Sequence, residues 1–274
     1  MLSSLRIAIF KCLLLAAVVP LNGEVPEDGL ADGLALVTTA KGGVIFRSPD
    51  GTEREAELHA VETLSGMEVG SGEDEQLFLA LSNGSAIGIH ENSQLRFVSY
   101  RQRPFPPEKE SLDYEPSLST LVIRLSTGSL SFSADQISPL SRVLIQLPGL
   151  GRIRIHEASG RVSFDERGAE IAITSGIVGY TGPGMDEEEF INSPHAVRIS
   201  RSATEPGRIS MVNLNGRYPS KELTELLVEA THRAKNRVVF KVPVGDEASI
   251  PRPVLVARPE ALLKPTPRPY TYRD

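Results

Sequence analysis

Five histidines, His59, His90, His156, His195 and His232, are the side chains best suited to metal ligation or general-base chemistry. None stands at metal-ligand spacing from another. His156-Glu157 opens like a zinc-protease motif, but its second histidine would fall at position 160, which is Gly160. The histidines are therefore expected on strands or surfaces rather than around a metal. Cys12 is the only cysteine. The sequence holds no Gly-x-Ser-x-Gly elbow and no phosphate-cradling Gly-x-x-x-x-Gly-Lys-Ser/Thr loop. Gly179-Tyr180-Thr181-Gly182-Pro183-Gly184 lacks the following Lys-Ser/Thr and reads as a strand-ending turn. Asp186-Glu187-Glu188-Glu189 could offer oxygens to calcium, but without the spacing and glycine of a calcium loop it reads as a solvated charge run. A carboxylate pair for sugar hydrolysis leaves no linear trace, and nothing in the sequence favours one. No catalytic, cofactor-binding or metal-binding residue is assigned, and no cofactor is expected.

Composition sets outer limits. At 274 residues the chain has room for one large β domain or two modest ones. Apolar residues at 40% and charged residues at 23% are near globular averages. The 23 glycines and 20 prolines suit many short strands joined by turns. Trp is absent and aromatics reach only 5%, which argues against stacking platforms for sugars or single-stranded nucleic acid. The formal net charge is -6, and without residues 1–23, which hold Arg6 and Lys11 but no acid, it is -8. Charge of this sign repels phosphate backbones, so nucleic acid is not an expected partner.

Residues 1–23 have the layout of a secretory signal peptide. Arg6 and Lys11 precede the apolar run Cys12 to Leu21, which ends at Asn22-Gly23. The run is shorter than the roughly 20 apolar residues that span a bilayer. Cleavage near Gly23 is expected, giving a mature chain that starts near Glu24, lacks Cys12 and carries no transmembrane span. An exported protein of the periplasm or cell envelope follows from this reading.

From about Gly33 the pattern becomes short β-rich runs. Leu77 to Leu81 leads through Ser82-Asn83-Gly84-Ser85 into Ala86 to Ile89, a hairpin signal that places both Asn83 and Gly84 at positive φ. The same Asn-Gly-Ser matches a glycosylation sequon but is better explained as the turn. Leu121 to Leu125 is expected to reverse likewise through Ser126-Thr127-Gly128-Ser129 into Leu130-Ser131-Phe132. Further period-two runs are Val143 to Leu147, Ile153 to His156, Val162 to Phe164, Ile171 to Ile173 and Ile177 to Tyr180. The expected fold is mostly β, an antiparallel sandwich or roll of many short strands.

Gln102 to Pro116, with Pro104, Pro106, Pro107 and Pro116, reads as an exposed insertion, and Gly182 to Asn192 as an acidic loop. Pro219-Ser220 opens one amphipathic helix, with Leu223, Leu226, Leu227, Ala230 and Ala234 at helical spacing. Its apolar stripe suits packing on the sheet or docking of a partner. Val238 to Val242 looks like a closing strand. The tail from Pro251, with six prolines and five basic residues, is expected to be extended and polyproline-like. The expected domains are 1–23 (signal peptide), 33–181 (β domain with the 102–116 insertion), 182–250 (β and helix extension) and 251–274 (basic Pro-rich tail).

Gly42 to Thr181 resembles the FecR-like periplasmic domain, named for the regulator of ferric-citrate uptake. The likeness rests on Gly43-Val44, Leu64-Ser65-Gly66-Met67-Glu68-Val69-Gly70, Leu77 to Leu81, Ser82-Asn83-Gly84-Ser85 and Asn92-Ser93-Gln94-Leu95-Arg96-Phe97. It continues through Leu121 to Leu125, Thr127-Gly128-Ser129-Leu130, Ser141 to Pro148 and Gly176-Ile177-Val178. It covers about half of the chain, and where the family carries Gly-Thr-x-Phe this chain has Ile155-His156-Glu157-Ala158. The resemblance implies a non-enzymatic envelope domain that senses or binds a ligand or protein partner, often in signalling. With 11 residues ahead of the apolar run, the cytoplasmic arm of the family's classical members is not expected. The partner would be an unidentified envelope protein or polysaccharide. The rival readings are an envelope carbohydrate-active hydrolase with carboxylates scattered in sequence, and a structural wall-associated protein.

Overall fold

Strands of alternating polarity need a neighbour along each edge and a shared core beneath. The computed structural model describes residues 30–103, 115, 117–201, 207–212, 221–241 and 254–257. In chain order the strands are β1 (Ala31–Asp32), β2 (Leu34–Lys41), β3 (Ile45–Arg47), β4 (Glu53–Glu55), β5 (Val61–Thr63), β6 (Glu68–Gly70), β7 (Gln76–Leu81), β8 (Ala86–Ile89) and β9 (Gln94–Gln102). Then come β10 (Ser119–Ala134), β11 (Arg142–Leu147), β12 (Gly151–Asp165), β13 (Gly168–Thr181), β14 (Glu189–Asn192), β15 (His195–Ser200) and β16 (Ile209–Val212). The helix α1 (Lys221–Arg237), β17 (Val238–Lys241) and β18 (Val254–Ala257) follow. Strands β1 to β16 join in one sheet, and β17 with β18 forms a separate antiparallel pair. The mostly-β expectation is met, with one exception to antiparallel order: β10 and β11 run parallel.

The expected hairpin at Leu121 to Phe132 does not form. β10 passes straight through Ser126-Thr127-Gly128-Ser129 and exchanges partners there instead of turning back. Its first half lies between β9 and β11, its second between β8 and β12. Gly128, at φ +89°, sits at the exchange, where a Cβ would come 2.4 Å from the Cα of Ser93. The runs at Ile153 and Val162 likewise merge into β12, and those at Ile171 and Ile177 into β13. Register shifts beside Ile155 and Ser159 bend these two strands.

Lateral rows of inward side chains then span the sheet. Phe97, Ile123, Ile145, Ile153 and Tyr180 make one row of the first half. Leu77, Ile89, Leu130, Val162, Ile171 and Val197 make one row of the second. Both belong to a single apolar cluster, so the long bent strands fold the sheet onto its own core.

The hairpin between β7 and β8 does form, with different turn chemistry. Gly84 N donates to Leu81 O at 3.0 Å and Leu81 N to Ser85 O at 2.9 Å, enclosing a three-residue loop. That loop is a type I turn followed by one left-handed residue, so only Gly84 has positive φ, at +88°. Asn83 is not left-handed. Its buried side chain accepts from Ser85 N at 3.1 Å and donates from Nδ2 to Ser119 Oγ at 3.1 Å, so in this fold the sequon nitrogen is already used.

The outer face of the second half is covered by α1, whose Leu227 and Ala230 pack with Phe78 and Ala86. This is why β7 and β8 are apolar on both faces. Around the helix footprint the outward residues are small, including Gly88, Ser131 and Ser133, which lets it approach closely. The polyproline-like expectation fails at Val254–Ala257, which pairs with β17 as β18, so β17 closes that pair rather than the large sheet. The rest of the tail and residues 1–29 lie outside the described residues.

Two glycine substitutions separate backbone strain from crowding. Gly84→Ala has nothing within 4 Å to strike, so it should cost about 1 kcal/mol through the left-handed backbone alone. Gly128→Ala meets the same backbone strain plus the Ser93 main chain, and should cost about 2–4 kcal/mol. Urea unfolding of both variants measures the difference, and equal losses would show that β10 yields freely at Gly128.

Candidate binding surface

One network of buried polar side chains is centred on Tyr100. Tyr100 Oη accepts from Asn83 N and lies 3.0 Å from Ser82 Oγ. Ser82 gives its proton to Gln102 Oε1 at 2.7 Å, so the tyrosine must donate to the serine. Leu34 N completes Ser82 at 3.1 Å. Burial, first of all, pushes the Tyr100 hydroxyl well above its usual range. Asn83 carries the chain of bonds on to Ser119, which donates to Glu115. Burial raises the Glu115 carboxyl, against the pull of hydrogen bonds from Ser119, Ser141 and Ser138 N. The network ties both ends of the 102–116 insertion to the β7–β8 turn. Residues 104–114 and 116 of that insertion lie outside the described residues, and Gln102 at its start is buried rather than exposed.

Three serines, one each from β10, β12 and β13, close on Asp135: Ser133 at 3.2 Å, and Ser159 and Ser175 at 2.8 Å each. This too is a structural knot.

The histidines are dispersed. His156 Nε2 lies 3.2 Å from Glu188 Oε2, with its ring 5.6 Å from that of Phe190. The acidic loop is thus only partly solvated: Glu188 folds over Gly179, and Glu189 starts β14. His195 Nδ1 bonds Asn192 O at 2.8 Å, and His59 sits at φ +67° before β5. His232 lies on α1. Among the described residues no three His, Cys, Asp or Glu side chains gather as a metal site.

His90 is buried under the outer face, edge-on to Phe78 at 6.1 Å, with Nε2 3.1 Å from Ser131 Oγ. Burial, helped by the Arg161 charge, pulls its pKa down to about 4, so the ring is neutral at pH 7. Nδ1 is buried without a hydrogen-bond partner among the described residues.

The uncommitted chemistry lies on the outer face of the first half, which α1 does not cover. Register partners in adjacent strands point to the same side, about 5 Å apart. Arg47, Glu68, Arg96, Arg124, Gln146 and Arg152 form one such row across β3, β6, β9, β10, β11 and β12. Two residues further along the strands, Arg154 shares a row with Leu144, Val122 and Ser99. In the row beyond, Thr120 stands between Arg101 and Arg142. Glu68 approaches Arg47 at 3.6 Å and Arg96 at 3.9 Å, and Glu53 also pairs with Arg47. Arg124, Arg142, Arg152 and Arg154 have no ion pair among the described residues. Arg124 reaches only Gln146, Nε to Oε1 at 3.4 Å. A shallow groove of about 320 Å³ opens beside Arg47, Arg96 and Arg124.

Sequence reasoning missed this face because net charge averages over the whole surface. The signal was present in Leu95-Arg96-Phe97, Ile123-Arg124-Leu125 and Ile153-Arg154-Ile155, where arginine holds the outward phase of an alternating strand.

No family model matches the chain, and comparison with curated proteins finds no match. Among solved structures, the chain is similar to two crystal structures of a proposed anti-sigma factor from Parabacteroides distasonis, at 1.65 and 2.50 Å resolution. Each superposes with a TM-score of 0.39 at 11% identity, over 53% of this chain and 59% of the other. The chain thus spans under two thirds of those proteins.

Two measurements follow from the buried polar groups. The folded pKa of His90 lies below its unfolded value near 6.5, so its neutral burial is fully tolerated above that pH and stability is lost as pH falls toward 4. Unfolding free energy should drop by about 2 kcal/mol between pH 7 and pH 5 on this account. His90→Gln should remove that part of the pH dependence in urea titrations at the two pH values. Tyr100→Phe should cost about 1–2 kcal/mol, because Ser82 loses a donor and Asn83 N its acceptor. An unchanged melt would mean that water replaces the hydroxyl.

Proposed function

We propose that this chain is an exported, non-enzymatic envelope protein with a FecR-like domain, which senses or signals by binding a partner through the arginine-bearing face. The carrying observation is the contrast between that face and every other polar cluster described. Tyr100, Glu115, Asp135 and His156 all spend their hydrogen bonds inside the fold, where they position backbone and turns. A groove of about 590 Å³ near Thr127 and Arg161 holds the carboxylates Asp165 and Glu170, the natural place to look for a hydrolase. Both are engaged: Asp165 accepts from Arg167 N and Gly168 N at the β12–β13 turn, and Glu170 accepts from Arg198. Four arginines with no ion pair among the described residues, held in fixed register on a rigid sheet, are by contrast equipped for recognition.

Export is tested by sequencing the mature N-terminus, expected near Glu24. Binding is tested by crosslinking the protein in its native envelope. The parent should give a defined adduct, and Arg124→Gln/Arg152→Gln/Arg154→Gln should lose it while melting at the same temperature. Turnover of wall glycans, esters or peptides that vanishes on changing one Asp or Glu to its amide would overturn the non-enzymatic reading.

A further inference from the structure

Resting on that binding role, we propose that the occupant of the arginine face is the phosphate-bearing surface of an anionic phospholipid bilayer. The charges spread in two dimensions. Arg96, Arg124 and Arg152 lie in one row, Arg154 in the next, and Arg101 and Arg142 in a third, over the four strands β9 to β12. With strands about 5 Å apart and rows about 7 Å apart, this is a patch of roughly 15 by 14 Å. A surface of many separate anions matches such a patch better than one extended chain does. The groove beside Arg47 is the nearest thing to a trench, and a polyanion laid there would meet Glu68 on its wall.

The centre of the face also lacks what a protein partner would use. Interface cores are poor in charge and rich in aromatic anchors. Here Ser99, Val122 and Leu144 lie between the arginines, Leu144 is buried, and the exposed ring, Phe190, stands at the edge opposite Gly179. The six cations are all arginine, whose planar fork takes two phosphate oxygens at once. The chain is acidic overall, but charges more than about 10 Å away are screened at 0.1 M salt. Within that reach, Asp32 is the register partner of Arg101, Glu68 is that of Arg96, and Glu188 folds over Gly179, the register partner of Arg154. Contact should therefore centre on Arg124, Arg142 and Arg152, whose register neighbours carry no carboxylate.

The test is co-sedimentation of the full chain with vesicles of phosphatidylcholine alone, and with about one third phosphatidylglycerol. The zwitterionic vesicles report any insertion of the apolar N-terminal run. The anionic vesicles should bind more protein at low salt and lose the excess at 0.5 M salt. Each basic side chain near such a surface is worth about fivefold in partitioning, so Arg142→Gln/Arg152→Gln/Arg154→Gln should cost on the order of 100-fold. Arg167→Gln, a change in the β12–β13 turn, should cost little. Equal binding to both vesicle types, or a triple variant that binds like the parent, overturns the proposal. So does soluble nucleic acid that competes as well as the anionic vesicles. A protein adduct that depends on Arg124, Arg152 and Arg154, with no vesicle binding, would overturn the lipid assignment and leave the binding role standing. Loss of both would remove the binding role as well.

Discussion

A strand has two edges, and β10 needs four neighbours. That constraint organises the molecule: β9 and β11 occupy the edges of its first half, and β8 and β12 those of its second. The exchange has to be made without stranding backbone groups in the core, where each would cost the desolvation of a polar group. Ser93 meets this need. Its Oγ accepts from Ser129 N at 2.9 Å and lies 3.1 Å from Ser129 O, while His90 N also donates to Ser129 O. Gly128 leaves room for that contact.

Once β10 belongs to both halves, β12 and β13 must follow it around the bend, and the two sets of inward rows share one core. Leucine, isoleucine and valine fill most of it, with Phe132 lying over Gly160 where β12 offers no side chain. Polar knots sit at the rims. The Tyr100 network closes the rim near the 102–116 insertion, and Asp135 with its three serines closes the end of β10. They supply hydrogen-bond partners where ladders stop, which explains why they have little left to offer a substrate.

The two outer faces differ because only one is covered. Beneath α1 the outward positions are small or apolar, so that Leu227 and Ala230 can reach the sheet. On the other half the outward positions meet water and can be long and charged at small cost. Seven arginines stand there, Arg47 to Arg154, in an otherwise acidic chain. The same alternation that buries Ile123, Ile145 and Ile153 turns Arg124, Gln146 and Arg152 outward. Core and charged face are two phases of one pattern.

The sequence by itself determined the β class, most strands, the β7–β8 hairpin and the helix, because period-two and period-3.6 burial are local properties of the chain. It also carried the outward phase of each arginine. Whether Thr127-Gly128-Ser129 turns back or runs on depends on which strands wait at the edges of β10, and those come from residues 86–102 and 142–165. Asn83 shows the same limit, since its conformation follows from a three-residue loop whose length is fixed by the β7–β8 register. The arginine face lies still further from the chain's local grammar. Arg47, Arg96, Arg124 and Arg152 are tens of residues apart, and only the strand order sets them side by side, because hydrogen-bonded register is a property of pairs of strands and not of either one alone.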